Sequence, residues 1–195
     1  MKTITKIEKL KSLLSKPIFF AKDARKLKVS SSVLNYYVKQ GIIESIGHGV
    51  YRGKDSKVNA SFEWEDLIII SKSVPNSVVC LISALAIYDL TEEIPRRHWI
   101  AVPNSTTCPT RENTIFKRMR DTETGKINYK LDGEIICIFD RERTIVDSFR
   151  FLSLETAIKS LKMGINSKQI DLNKIMKYAQ KFNVKIEPYI HSLMI

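Results

Sequence analysis

Ser31, Ser32, Asn35, Tyr36 and Lys39 recur at the spacing of one face of an α-helix, and each carries a polar group suited to a base edge or a phosphate. An asparagine amide offers a donor and an acceptor together, so Asn35 can take adenine through two hydrogen bonds. Serine hydroxyls, those of Ser30, Ser31 and Ser32 here, can contact bases or phosphates. Lys22, Lys26, Lys28 and Lys39 would hold a phosphate backbone, fixing register without reading sequence. Further along, His48 and Arg52 can reach a neighbouring groove or its phosphates. Residues 31–40 carry no arginine, the commonest reader of guanine, which points to an A·T-rich target or to recognition partly by shape.

These side chains need a scaffold, and the surrounding sequence predicts one. Ile4, Ile7, Leu10, Leu13 and Leu14 mark an amphipathic helix over Thr3–Ser15, which Pro17 stops. Ala21–Leu27 reads as a second helix with Ala24 and Leu27 inward, and Lys28-Val29 as the turn after it. Ser30 stands at the N-cap position of a third helix, Ser31–Gln40, where its hydroxyl is expected to accept a bond from a free amide. Val33, Leu34, Tyr37 and Val38 form its inner side, and Gly41 ends it as a left-handed C-terminal residue. Ile42–Ile46 and Val50–Arg52 then form a hairpin about Gly47-His48-Gly49. Helix, turn, helix and hairpin in that order are a winged helix-turn-helix, in which one helix enters a DNA groove and the hairpin sits beside it.

Charge agrees with this reading. Residues 1–54 hold 12 Lys+Arg against 3 Asp+Glu, whereas the remaining 141 hold 20 against 18, so most of the net +11 sits on one segment. That is the electrostatic footprint of a phosphate-backbone binder. The asymmetry suggests two domains, a DNA-binding one over 1–54 and an α+β one over 60–195, with the polar residues 54–59 as linker. Apolar runs such as Leu67–Ile70 fall far short of the ~20 residues of a membrane span. Lysines at 6, 9 and 11 interrupt what a signal peptide would keep apolar. Cys80, Cys108 and Cys137 are widely spaced; Cys80 and Cys137 lie in apolar strings and read as buried thiols of a reduced, cytoplasmic protein.

In the second part, helices are expected over 61–73 (with Phe62 among its apolar members), Val78–Tyr88, Thr144–Arg150, Leu154–Met163 and Leu172–Phe182. Strands are expected at Trp99–Val102, Thr114–Met119, Asn128–Leu131 and Glu134–Phe139, in a mainly antiparallel sheet. Signs of catalysis are few. Its histidines are scattered away from any cysteine pair, and no glycine-rich phosphate loop or nucleophile elbow occurs. No cofactor is expected. Asp132, Glu134, Asp140 and Glu142 flank one strand, an arrangement that fits either a metal-dependent nuclease or simply charged turns. Arg96, Arg97, His98, Arg111, Lys117, Arg118 and Arg120 read as a second basic strip or as solvated surface. Arg143 and Asp147, four apart on a helix, can pair, and Thr144 can equally cap that helix.

With these residues in view, the chain resembles the AbiEi-type antitoxins of type IV toxin–antitoxin (abortive-infection) systems along almost its whole length. AKDARKLKVSSSVLNYYVKQGIIESIGHGVYR is similar to that family's winged-helix domain. LISALAIYDLTEEIP (Leu81–Pro95), RTIVDSFRF (Arg143–Phe151) and the C-terminal DLNKIMKYAQKFNVKIEPYIHSLM resemble further family segments in the right order. The resemblance implies a non-enzymatic, DNA-binding repressor of its own operon. It would counter a nucleotidyltransferase-like toxin, with or without a stable complex, and could act as two copies on DNA. A nuclease guided by the N-terminal domain, or an interaction module that does not bind DNA, are the competing readings.

Overall fold

The computed structural model describes residues 6–47, 49–56 and 63–193. His48, Ile4, Phe62 and residues 57–59 of the expected linker lie outside the described residues. The fold is mixed α and β, with 45% helix and 20% strand among the described residues. The chain divides into two compact units. Met1–Pro75 with Leu131–Glu134 form one, and Asn76–Lys130 with Ile135–Ile195 form the other.

The first unit begins with α1 (Lys6–Leu14), β1 (Phe19–Phe20), α2 (Ala21–Lys26) and α3 (Ser31–Lys39). The strands β2 (Ile43–Gly47) and β3 (Val50–Gly53) and the helix α4 (Glu65–Ser73) follow. The strands form a small antiparallel sheet in the order β1-β3-β2, with Phe19 opposite Tyr51 and Glu44 opposite Arg52. Leu10, Leu13, Phe19, Ala24, Val29, Leu34, Ile43 and Tyr51 make one core, in which the Phe19 and Tyr51 rings stack at 5.8 Å. Gly53 is required by close approach, because a Cβ there would meet the Leu14 carbonyl oxygen at 2.6 Å.

The second unit contains β4 (Val78–Val79), α5 (Leu81–Ile87), β5 (His98–Pro103), β6 (Thr114–Met119), β7 (Lys126–Leu131), β8 (Glu134–Phe139), α6 (Arg141–Phe151), α7 (Leu154–Asn166), α8 (Leu172–Phe182) and α9 (Glu187–Leu193). Its sheet runs β6-β5-β4-β8-β7. The expectation of a mainly antiparallel sheet is corrected: β5 pairs with β6 and β4 with β8 in parallel, while β4 and β5 are antiparallel. The sheet is mixed. Val78-Val79, expected to begin a helix, instead form the central strand, and the helix starts only at Leu81. A short, fully buried apolar run has no periodicity to separate the two states, and paired β-branched residues favour the strand. Cys80 is fully buried and its thiol is pushed well up by that burial, but Cys137 is only partly buried, against expectation.

Arg143, on α6, is the largest fully buried side chain among the described residues. Its Nε donates to Asp147 Oδ2 at 2.7 Å, Nη1 to the Thr124 carbonyl at 3.0 Å and Nη2 to the Asp121 carbonyl at 3.2 Å. The guanidinium also lies 3.8 Å from the Phe182 ring centroid and 4.6 Å from that of Phe139. Arg150 takes the other Asp147 oxygen at 2.6 Å. The cap of α6 is Asp140, whose carboxylate accepts from the Arg143 amide at 2.8 Å; the Thr144 hydroxyl donates back to the Phe139 carbonyl. Thr144 is thus not the cap, because a residue within the helix is out of reach of the free N-terminal amides. Asp140 also accepts from Tyr178 at 2.8 Å and pairs with Lys174 at 3.1 Å.

Two carboxylates of this centre respond to it in opposite directions. Burial raises the Asp147 carboxyl despite the opposing pull of Arg143 and Arg150. Burial also pushes Asp121 up, but bonds from the Thr124 amide and hydroxyl, Lys181 and the Glu123 amide outweigh it and hold the carboxyl well below its ordinary range. Removing one partner of a buried pair strands the other charge, so Asp147→Ala is expected to cost about 3–5 kcal/mol in urea unfolding. For Asp121 the folded value lies below the unfolded one, ~3.9. Its contribution is therefore present above about pH 4 and lost as pH falls further. Asp121→Asn should flatten that part of the acid unfolding curve, measured as the urea midpoint against pH.

Candidate nucleic-acid interface

The outward face of α3 exists because its inward face is anchored. Leu34 is fully buried, and Val33, Tyr37 and Val38 pack beside it on the core. That burial turns Ser31, Ser32, Asn35, Tyr36 and Lys39 outward together, and all five are exposed. Tyr36 is 56% exposed and leans on the Tyr37 ring at 5.7 Å between centroids, which holds an aromatic edge beside Asn35. Ser30 occupies the N-cap position with extended backbone (φ −79, ψ 161), but its hydroxyl makes no bond to the helix amides. It shares a hydrogen bond with the Ser32 hydroxyl at 3.2 Å instead, a correction to the expected cap. The amides at the start of α3 are therefore not closed by the Ser30 side chain, and such groups suit a phosphate.

Two matched turns fix the angle at which α3 is presented. At the end of α2, the Lys28 amide donates to the Arg25 carbonyl and the Val29 amide to the Ala24 carbonyl. At the end of α3, Gly41 donates to Val38 and Ile42 to Tyr37. Both are Schellman motifs, which need a left-handed residue just past the helix. Gly41 supplies it at φ 66, as expected, and Lys28 supplies it at φ 60 despite its side chain. The strained backbone therefore carries an exposed lysine immediately before the exposed face of α3.

The remaining cations differ in how free they are. Lys22 is exposed, with its ammonium 5.0 Å from the Phe20 ring centroid. Lys26 lies 3.8 Å from Asp23, a loose exposed pair worth little. Arg52 is held most firmly, bonded to Glu44 at 2.8 Å and to Glu65 at 2.9 Å, so two carboxylates already occupy its guanidinium. Arg25, which the spacing argument passed over, is exposed on α2 and makes no ion pair with any described residue. Its position three residues after Lys22 on a short helix was the available signal. Gly49 adopts φ 68 beside the hairpin tip, and its carbonyl accepts from the Ala21 amide at 2.8 Å, tying the hairpin to the start of α2.

The four carboxylates of the nuclease reading are otherwise engaged or dispersed. Glu134 pairs with Lys72, Asp140 and Glu142 share Lys174 at 3.1 Å each, and Asp132 sits in the tight β7–β8 turn at φ 47. Among the described residues no group of three His, Cys, Asp or Glu side chains is placed to hold a metal ion. No helix among the described residues is long and apolar enough to cross a membrane.

The left-handed backbone at residue 28 yields a direct expectation. Lys28→Gly should raise stability by about 0.5–1 kcal/mol, and Gly41→Ala should lower it by about 1 kcal/mol, both read from urea midpoints. No known family model matches this chain, and no curated protein matches it.

Proposed function

We propose that the first unit is a winged helix-turn-helix that binds double-stranded DNA, with α3 in the major groove and the β2–β3 hairpin as the wing. The chain as a whole would act in the cytoplasm as a repressor of its own operon and as the antitoxin of a type IV toxin–antitoxin pair. The observation that carries the DNA reading is the continuous exposed face of Ser31, Ser32, Asn35, Tyr36 and Lys39 on a helix anchored by buried Leu34. Arg25, Lys28 and Lys39 flank that face without a carboxylate partner among the described residues, which keeps their charge available to phosphate. The antitoxin role rests on the resemblance of four ordered segments to AbiEi-type proteins. It carries the expectation of a nucleotidyltransferase-like toxin as the functional counterpart.

Base reading falls to Asn35 and phosphate attraction to the lysines. Asn35→Ala should relax preference at one base pair by about 1–3 kcal/mol. Lys28→Gly, which leaves folding intact, should weaken binding to every sequence alike and reduce the salt slope by about one. Both are read by titrating the protein against its own upstream DNA and a shuffled control over a range of salt. Preference for the upstream DNA that survives physiological salt supports the repressor. Equal, salt-sensitive binding to both sequences, or an unchanged ranking with Asn35→Ala, removes α3 as the reader.

A further inference from the structure

The second unit holds a cleft of about 600 Å³ whose rim includes Arg118, Arg120, Asp121, Arg150 and Lys181, with buried Arg143 at its base. Five cations therefore converge there. Asp121 pairs with Lys181 at 3.1 Å, while Asp147, fully buried, is shared by Arg143 and Arg150. Two carboxylates serve the five, and three positive charges remain. The second unit carries 18 Lys+Arg against 12 Asp+Glu, and half of that surplus of six is gathered at this one cleft.

The cationic groups are also held in place. Arg118 Nη1 donates to the carbonyls of Asn104 at 2.6 Å and Thr106 at 3.0 Å, neutral acceptors that fix the guanidinium while leaving its charge uncancelled. Arg150 is fixed by Asp147 and lies 4.6 Å from the Phe151 ring centroid and 4.7 Å from that of Phe182. Arg120 stands exposed in the bend just past β6, one residue after the buried Met119, and lines the cleft together with Arg118. It has no ionic partner among the described residues. Two of the carbonyls at the end of α8, which would repel an anion, are occupied: the Asn183 amide donates to Gln180 and that of Val184 to Ala179. Pre-positioned guanidiniums beside apolar rings are suited to phosphate oxygens, and the volume lies in the range of small-molecule sites.

We infer that this cleft binds the di- or triphosphate group of a small molecule, its three surplus charges being matched to an anion of that charge rather than to a single phosphomonoester. The inference does not rest on DNA binding by the first unit. Sodium pyrophosphate, tripolyphosphate and ATP titrated calorimetrically into the full chain test it. Saturable one-to-one binding is expected, weakened about tenfold or more in Arg118→Gln and Arg120→Gln. Arg120 is exposed and has no ionic partner among the described residues, so the melting temperature of Arg120→Gln without ligand should be unchanged. Lys39→Gln should leave the binding unaltered. Tighter binding of ATP than of tripolyphosphate assigns the ligand as a nucleotide, and equal binding assigns recognition to the phosphates alone; either supports the cleft. Absence of binding at millimolar ligand in low salt overturns it, as does equal weakening in Lys39→Gln. Loss of DNA affinity in the cleft variants with no pyrophosphate binding also overturns it, by turning the cleft into a nucleic-acid surface.

Discussion

The second unit is organised around a charge that cannot reach water. Arg143 is fully buried, and a guanidinium always carries its proton, so the fold must supply every acceptor it needs. It does so from three directions: Asp147 from the same helix, and the Thr124 and Asp121 carbonyls from the chain between β6 and β7. The rings of Phe139 and Phe182 close the remaining faces. Gly125 follows from the same demand, because a Cβ there would lie 2.8 Å from Arg143 Cβ and 3.2 Å from Asp140 Oδ2. Its left-handed φ of 73 lets the chain pass over the arginine and deliver its carbonyl to the Asp140 amide at 2.7 Å. One side chain thereby fixes the relation of β8, α6, α8 and the β6–β7 connection.

The first unit solves its positioning problem by backbone geometry instead. Its core is small, and the α2–α3 angle depends on turns whose hydrogen bonds are local. A Schellman motif defines the exit direction of a helix closely, so two in succession carry that direction from α2 into α3 and from α3 into the hairpin. Lys28 accepts a conformation that glycine would take more cheaply. A strained lysine is retained stability lost, which fits a residue whose charge matters more at that place than its backbone ease.

What was legible in the sequence was whatever local chemistry alone decides. Leu172–Phe182 is the helix its periodicity predicts, with the same bounds, because Asp171 caps it and Asn183 ends it in the left-handed region. The outward set on α3 follows from a single buried leucine and the helical repeat. The Arg143–Asp147 pair follows from an i,i+4 spacing, although nothing in that spacing announces full burial. Long-range choices were not legible. Val78-Val79 become a strand only because β5 and β8 flank them, and the turn into α5 places Leu81 at φ 48, a conformation leucine does not signal. Arg52 read as a free cation until the fold brought Glu65 to it from thirteen positions away. The Ser30 hydroxyl, finally, had a competitor two residues along that an N-cap pattern does not weigh.

Charge in this chain is placed by two different means, and they suit different ligands. In the first 54 residues it comes from composition, with 12 cations against 3 carboxylates spread over exposed helices. Such a surface is screened by salt and attracts any long polyanion, so on the proposed DNA reading selectivity would have to come from side chains such as Asn35. In the second unit 18 cations stand against 12 carboxylates, and half of that surplus is focused at one place because distant segments converge: Arg118 and Arg120 from the β6 edge, Arg150 from α6 and Lys181 from α8. There the guanidiniums are fixed, and flanking phenylalanines lower the local dielectric, so each charge acts more strongly on an anion seated among them. A diffuse surface favours a long backbone, and a fixed cleft favours a compact anion. The same residue types thus suit two kinds of ligand, and only the fold decides which.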